Sequence, residues 1–313
     1  MLARRTFVAA AAAVAAMRPI NADAAPPRRL ILIHGRSQGG FDPVELRTAW
    51  MDALSGQLAL KQLSIPKDVV IEFPYYGDAL DEFVRQSKLP VASAIKSRGG
   101  DQQDEFLAFQ AQVANELAEN AGVTDAQINA EYGDNPKARG PLNWEWVQAI
   151  IRAIDKNAGG VSASAIETFT RDVYIYLMSS AVRDGIDKIV EDKFNDDSTV
   201  VVGHSLGSVV AYNVLKKRRR SVRLLVTVGS PLGIRAVRTP LTPIGFPLGV
   251  NDWFNAYDPR DVVALNPLDA AHFAVNPAVK NYSGVKNSTP NRHGISGYLG
   301  DPQVVQTLYT ALS

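Results

Sequence analysis

The chain has 313 residues, of which 46% are hydrophobic, and carries 33 lysines and arginines against 32 acidic residues. It is too polar for a protein built mainly of membrane-spanning helices, and a net charge of +1 gives no overall field that would attract nucleic acid. It contains no cysteine, which excludes disulfides, thiolate metal sites and a lipid anchor on cysteine.

The amino terminus predicts an export signal. Arg4 and Arg5 resemble a twin-arginine motif, and the alanine-rich stretch 7–17 that follows is too short to span a bilayer. Small residues at 22–24 suit a cleavage site. We therefore expect residues 1–24 to be removed and the rest of the chain to reach the periplasm or the outside of a bacterial cell. Without a functional signal the protein would stay in the cytoplasm.

The first predicted strand, 29–34, leads into a glycine-rich loop that begins with His34 and Gly35 and extends to residue 40. Glycines in such a loop let the backbone approach a bound ligand closely. The loop lacks the glycine spacing of dinucleotide-binding and phosphate-binding loops, so it predicts no nucleotide cofactor. A second strand is predicted over 69–73.

A long connection, from about 78 to 195, separates the second predicted strand from the third. Its apolar residues recur mostly at helical spacing. We expect a helical cap or lid over 78–163, followed by one helix over 164–192 that returns to the core. Its aromatic residues either line an apolar substrate pocket or pack the helices together. They are Trp144, Trp146, Tyr174 and Tyr176.

The most specific motif lies between a β-branched run at 199–202, which predicts a strand, and a helical pattern at 208–215. It reads Gly203, His204, Ser205, Leu206, Gly207. A Gly-x-Ser-x-Gly sequence between a strand and a helix is typical of the nucleophile elbow of serine hydrolases. The two glycines leave room for a tight turn that holds the serine hydroxyl clear of the sheet. We predict that Ser205 is a nucleophile.

The helix after this motif ends in five consecutive basic residues, 216–220. Cations complement the dipole at a helix carboxyl end, so we predict a solvated helix end. The alternative is contact with an anionic membrane surface.

A serine nucleophile needs a base. In hydrolases that have a nucleophile elbow, the catalytic residues follow one another along the chain in the order serine, acid, histidine. Two of the four histidines follow Ser205. His272 comes 11 positions after the best acid candidate, which leaves little room for a helix and a final strand. His293 lies beyond a predicted strand at 279–285, so we predict that His293 is the base and that His272 is a partly buried structural residue.

The acid should follow a late strand, and strands are predicted over 222–228 and 252–257. Asp258 precedes a proline, which suits a turn-forming aspartate. Asp261 precedes Val-Val-Ala, which resembles the Asp-x-Val segment after a late strand in many α/β hydrolases, so it is the preferred acid, with Asp258 as the alternative. A final helix is predicted over about 295–312.

Three segments, 31–35, 202–207 and 227–233, resemble the α/β-hydrolase superfamily on its bacterial esterase and lipase side. The resemblance implies an α/β fold, in which helices flank a mostly parallel central sheet. It also implies carboxylic ester hydrolysis through an acyl-enzyme, with no metal or organic cofactor. The oxyanion would be bound by the backbone N–H groups of Leu206 and Arg36, with Ser37 as the alternative second donor.

This resemblance leaves the substrate class open between small-molecule and lipid esters, and nucleic acid is not expected as a partner. Thioester cleavage and acyl transfer to an alcohol use the same Ser-His-Asp triad. A hydrolase fold without catalysis, serving as a binding module, is the alternative of another class.

Overall fold

The computed structural model describes residues 29–36, 38–95, 100–133, 139–264 and 266–313, and all structural statements below concern these residues. The predicted export signal and its cleavage site lie outside the described residues, as does Ser37.

The described residues form six strands and eleven α-helices. The strands are β1 Arg29–Ile33, β2 Val70–Glu72, β3 Thr199–His204, β4 Val222–Val228, β5 Val250–Ala256 and β6 Lys280–Tyr282. The helices before β3 are α1 Pro43–Ala59, α2 Gly77–Ser87, α3 Asp101–Asn120, α4 Asp125–Tyr132, α5 Trp144–Ala158, α6 Ala163–Met178 and α7 Ser180–Glu191. Those after it are α8 Leu206–Lys217, α9 Arg235–Arg238, α10 Ile295–Leu299 and α11 Pro302–Leu312.

All six strands join one sheet in the order β2-β1-β3-β4-β5-β6, and every neighbouring pair is parallel. Parallel strands need crossover connections, which place helices on the faces of the sheet. The predicted α/β class, with a parallel sheet flanked by helices, is therefore confirmed. Because β3 is buried at every residue, the segment that leads into Ser205 lies at the centre of the fold.

Alternate residues of the strands serve two different core layers. Leu30 and Leu32 of β1 join a cluster that includes Trp50 of α1 and Leu308 of α11. The intervening Ile31 belongs to a larger cluster with residues of α2 to α9. This period of two is the one expected for a sheet that is buried on both faces. Each such side chain, fully buried, stabilises the fold by roughly 1.5–3 kcal/mol.

Two predicted helices were wrong in extent, because each is interrupted by a residue that caps a new helix. The predicted helix over 164–192 is α6 and α7, separated at Ser179, whose side chain accepts a hydrogen bond from the Val182 N–H. The predicted helix over 295–312 is α10 and α11. Asp301 caps α11 by accepting from two backbone N–H groups, and Pro302 occupies the first turn.

Strand ends also differ from the predictions by a few residues. The predicted strand over 279–285 is limited to Lys280–Tyr282, and the one over 252–257 is Val250–Ala256. The strands predicted over 29–34 and 69–73 are each shorter, at Arg29–Ile33 and Val70–Glu72. The strand predicted over 222–228 has those bounds.

The basic run at the end of α8 has internal partners. Lys216 donates to the backbone carbonyl of Leu241, and Lys217 forms ion pairs with Asp184 and Asp187. These contacts fit the predicted helix end. None of the described helices has both the length and the apolar character that crossing a bilayer requires.

Candidate active site

Ser205 occupies a sharp turn between β3 and α8. Its backbone has φ 54° and ψ −128°, in the positive-φ region that residues other than glycine rarely adopt. The flanking glycines are required by space, because a Cβ on Gly203 would lie 2.7 Å from the Cα of Ser208. A Cβ on Gly207 would lie 2.2 Å from the carbonyl oxygen of Ile33. The turn is therefore strained, and it tolerates only glycine two positions before and two positions after the serine.

A hydrogen-bonded chain of three side chains begins at this serine. The Ser205 Oγ lies 2.9 Å from the Nε2 of His293, and the Nδ1 of His293 lies 2.6 Å from the Oδ2 of Asp261. These residues come from the loops or turns that follow β3, β5 and β6, at the carboxyl edge of the parallel sheet. That edge is where open α/β sheets bind ligands. The structure thus brings together the three residues that the sequence analysis selected.

Asp261 is held by two further donors. The Tyr298 hydroxyl donates to its Oδ2 at 2.6 Å, and the Val263 N–H donates to its Oδ1 at 3.0 Å. Burial raises the pKa of Tyr298 well above its ordinary value, and the Asp261 carboxylate adds to this, so the hydroxyl remains a donor. The sequence analysis missed Tyr298. Its signal is a tyrosine next to a leucine in a helical pattern, because a buried tyrosine hydroxyl usually has a hydrogen-bond partner.

Asp258 and His272 have other partners. The Arg260 guanidinium lies 2.6 Å from the Asp258 carboxylate, which also accepts the N–H of Asn287. Burial raises the pKa of Asp258, but these hydrogen bonds outweigh it and hold the pKa below its usual value. The imidazole of His272 contacts Asp269. Asp258 therefore stabilises the loops around the site, and His272 is not part of the hydrogen-bonded series Ser205–His293–Asp261.

His204, the residue before the serine, supports the base from the other side. Its Nε2 lies 2.7 Å from the backbone carbonyl oxygen of His293. Burial lowers the pKa of His204 well below its ordinary value, so the ring is neutral and donates its single proton through Nε2. His204 thereby fixes the loop that carries His293, a contact that the sequence motif did not indicate.

The loop after β1 lies directly against the serine. A Cβ on Gly35 would lie 2.9 Å from the Cβ of Ser205. His34 holds this loop, because its Nδ1 lies 2.6 Å from the carbonyl oxygen of Gly35 and its Nε2 accepts the N–H of Tyr76. Burial lowers the pKa of His34 to about 4, which keeps the ring neutral in this arrangement.

The two residues expected to supply oxyanion donors are Leu206, directly after Ser205, and Arg36, in the loop after β1. Leu206 is the first residue of α8, where backbone N–H groups have no partner within the helix. Arg36 follows Gly35, and its guanidinium donates to the carbonyl oxygen of Ala165 at 2.9 Å. The guanidinium also lies 3.9 Å from Asp172. Both contacts fasten the loop after β1 to α6.

Two cavities adjoin the Ser205–His293–Asp261 chain, and Ser205 lines the outer one whereas Asp261 lines the inner one. The outer cleft has a volume of about 320 Å³ and is lined by Ser205 together with Leu46, Ala49 and Trp50 of α1. The inner cavity has a volume of about 40 Å³ and lies against α3 and α6. Three residues line both spaces: Arg36, Asn291 and His293. Larger surface cavities of about 400 and 550 Å³ lie elsewhere and do not include Ser205 in their lining.

The four aromatic residues proposed as pocket or packing residues line neither space beside Ser205 in the described structure. Tyr174 packs against Phe106, and Tyr176 donates its hydroxyl to Asp187. Trp144 and Trp146 pack against the larger core cluster. They therefore hold the helices together, as the packing alternative predicted.

No group of three or more His, Asp or Glu side chains in the described residues is arranged to hold a metal ion. Comparisons with models of known protein families, with curated proteins and with solved structures gave no match. The assignment of a function therefore depends on the geometry of the site.

Proposed function

We propose that the protein is a serine hydrolase that cleaves carboxylic esters through an acyl-enzyme on Ser205. The observation that carries the proposal is the chain from Ser205 Oγ to His293 Nε2, and from His293 Nδ1 to Asp261, on a strained strand-to-helix turn. A nucleophile, a base and a carboxylate that orients the base are the parts that serine acyl transfer needs.

In the first half-reaction Ser205 Oγ attacks the ester carbonyl carbon while His293 Nε2 takes the hydroxyl proton. The carbon–oxygen bond to the alcohol then breaks, and His293 returns the proton to the departing alcohol oxygen. In the second half-reaction water attacks the acyl-enzyme and gives a proton to His293. That proton returns to Ser205 Oγ as the carboxylic acid leaves. Asp261 keeps the imidazole in the tautomer that presents Nε2 to the serine.

The negative oxygen of each tetrahedral intermediate needs donors that are already in place. We propose the backbone N–H groups of Leu206 and Arg36 for this role. In support, Leu206 begins α8 and Gly35 packs against the Ser205 side chain. The Arg36 side chain, bound to Ala165, supports the loop that carries the second donor.

We also propose that the sheet is that of an α/β hydrolase and that 78–163 forms a cap over the site. The support is that the elbow follows the buried strand β3, and that Leu117 of α3 lines the inner cavity.

The test is to incubate the purified protein with a fluorophosphonate, locate the adduct by mass spectrometry and measure turnover of p-nitrophenyl esters. We expect one adduct, on Ser205, and ester turnover that Ser205→Ala abolishes while the protein stays folded by circular dichroism. Ser221→Ala, at an exposed position before β4, is the control and should retain full turnover. Undiminished turnover in Ser205→Ala would refute the proposal.

The same experiment separates the neighbouring activities. Faster cleavage of an acyl thioester, or product transfer to an added alcohol, would identify a thioesterase or an acyltransferase on the same three residues. A folded protein with neither adduct nor turnover would favour a binding module.

A further inference from the structure

We propose that the substrates are esters of short-chain acids, whose acyl group of about two to four carbons occupies the inner cavity while the alcohol lies in the outer cleft. This inference rests on the proposed ester hydrolysis at Ser205. It assigns a separate space to each half of the ester.

The inner cavity is small, and its side toward α3 and α6 is apolar. Leu117, Ile166 and Phe169 line that side and are at most 2% exposed. The polar side chains in the lining are those of Arg36, Asp261, Asn291 and His293. One water-sized group needs roughly 10–15 Å³ of such space, so about 40 Å³ holds three or four groups of that size. A short hydrocarbon chain fits this volume, and its burial against the apolar side chains of α3 and α6 is favourable.

The wall also resists enlargement. Leu117 lies on α3 and Phe169 on α6, and these two helices pack directly against each other. Protein interiors are close-packed, so a longer chain would have to displace buried side chains. The cavity therefore sets an upper limit on the chain length that reaches the serine without strain.

The position of the cavity connects it to the reacting atoms. His293 and Arg36 line both spaces, and His293 Nε2 is 2.9 Å from Ser205 Oγ. A carbonyl carbon bonded to Ser205 can therefore direct one substituent past Arg36 and His293 toward α6. Its other substituent then lies in the outer cleft, whose lining includes the serine itself.

The order in which the two products leave the enzyme indicates which half of the ester lies in which space. The alcohol leaves first, after the bond between its oxygen and the carbonyl carbon breaks, and water must then reach the same position to release the acid. The outer cleft is about eight times larger and includes the exposed Ala49 on its rim, so it suits both departure and entry of water. The acyl group stays bonded to Ser205 until the last step, so the inner cavity does not need its own opening to solvent.

The lining of the outer cleft suits the alcohol half. Gln38 lines it beside Trp50, and Asn291 lines both spaces. These side chains supply hydrogen-bonding groups next to an aromatic surface, which is the mixed lining that ligand pockets generally have. An alcohol larger than the acyl group fits this cleft.

The experiment measures kcat/KM for p-nitrophenyl acetate, butyrate, octanoate and palmitate, with Ser205 labelling by a fluorophosphonate run in parallel. We expect the highest kcat/KM for acetate or butyrate, and a value for octanoate at least about tenfold lower, because each unaccommodated methylene group disfavours the transition state. An octanoate value equal to or above the butyrate value would overturn the proposal.

Leu117→Ala tests the cavity directly. It should move the preferred acyl chain upward by about one to three carbons, because it removes side-chain volume from the inner wall. Leu107→Ala, at an equally buried leucine of α3 outside both linings, is the matched control and should keep the wild-type chain-length profile. If Leu117→Ala instead broadened the range of alcohols in a series of butyrate esters, the assignment of the two halves would be reversed.

Failure of this inference is distinguishable from failure of the proposed function. Labelled Ser205 with ester turnover, but with a preference for long acyl chains, refutes the short-chain proposal alone. A folded protein without label and without turnover of any ester refutes both.

Discussion

Two walls face each other across the candidate site, and each contains a buried carboxylate. On the wall made by the loops at the carboxyl edge of the strands, Asp261 accepts hydrogen bonds from Val263, Tyr298 and His293. On the helical wall, Asp172 of α6 lies 3.9 Å from Arg36 and 3.6 Å from Arg171. Its Oδ1 is buried without a hydrogen-bond partner in the described residues.

The two carboxylates differ in how they are held. Asp261 is fixed by hydrogen bonds, whereas Asp172 is buried near two arginines and one of its oxygens has no hydrogen-bond partner in the described residues. Short hydrogen bonds offset the cost of burying Asp261, and they fix its position relative to the imidazole. For Asp172, burial dominates over the attraction of Arg36 and Arg171 and raises its pKa to about 6. We therefore expect changes in Asp261 to affect catalysis, and changes in Asp172 to affect stability.

The largest expected effect is on the strand-edge wall. Asp261→Asn should lower kcat by about 10³–10⁴-fold, because the amide no longer selects the imidazole tautomer that presents Nε2 to Ser205. Asp258→Asn is the matched control, at a buried aspartate three residues away that is paired with Arg260. It should cost about 1–3 kcal/mol of unfolding free energy and leave kcat within about tenfold. Similar losses of kcat in both variants would contradict the distinct roles of the two residues.

The second effect concerns the helical wall and its response to pH. Since the pKa of Asp172 is raised to about 6 in the folded state, its contribution to stability is complete below the ordinary aspartate pKa, 3.8. That contribution is lost as pH rises through about 6. Between pH 4 and 7, the unfolding free energy of the wild type should therefore fall relative to Asp172→Asn, by on the order of 2 kcal/mol.

Urea unfolding of both proteins at several pH values measures this difference. Asp184→Asn, at an exposed aspartate of α7, provides the control for a change of net charge and should run parallel to the wild type. Curves for the wild type and Asp172→Asn that stay parallel from pH 4 to 7 would show that the charge of Asp172 is already compensated in the folded protein.

The two walls also differ in how far the sequence predicts them. The elbow at Ser205 can be recognised from a few neighbouring residues. The tight turn after the short strand requires glycine at two positions for steric reasons, and both glycines are visible in the sequence. Asp261 and His293 could be selected because the resemblance implies the chain order serine, acid, histidine, and because a strand is predicted between the two residues. The capping residues Ser179 and Asp301 also carry local signals, but the continuous apolar periodicity around them concealed the breaks.

The helical wall offered no comparable signal. The contact of Arg36 with Ala165 spans 129 positions, and it depends on how α6 packs across the loop after β1. The residues that line the inner cavity have the same apolar character as ordinary core residues, so periodicity alone could not distinguish Leu117 or Phe169 from Leu107. Tyr174 is as prominent in the sequence as a pocket residue would be, yet it packs against Phe106 and lines a cavity away from Ser205.

The smallest predicted effect tests whether the third hydrogen bond to Asp261 matters for catalysis. Tyr298→Phe removes the hydroxyl that donates to Oδ2 at 2.6 Å but leaves the contacts with His293 and Val263. We expect kcat to fall by about tenfold with KM nearly unchanged, because one hydrogen bond of roughly 1–1.5 kcal/mol is lost from a group that only positions the base. Tyr309→Phe on α11 controls for the loss of a hydroxyl outside the Ser205–His293–Asp261 chain. A variant with wild-type kcat but lowered stability would show that Tyr298 supports the packing of α10 and that two donors are enough to hold the carboxylate.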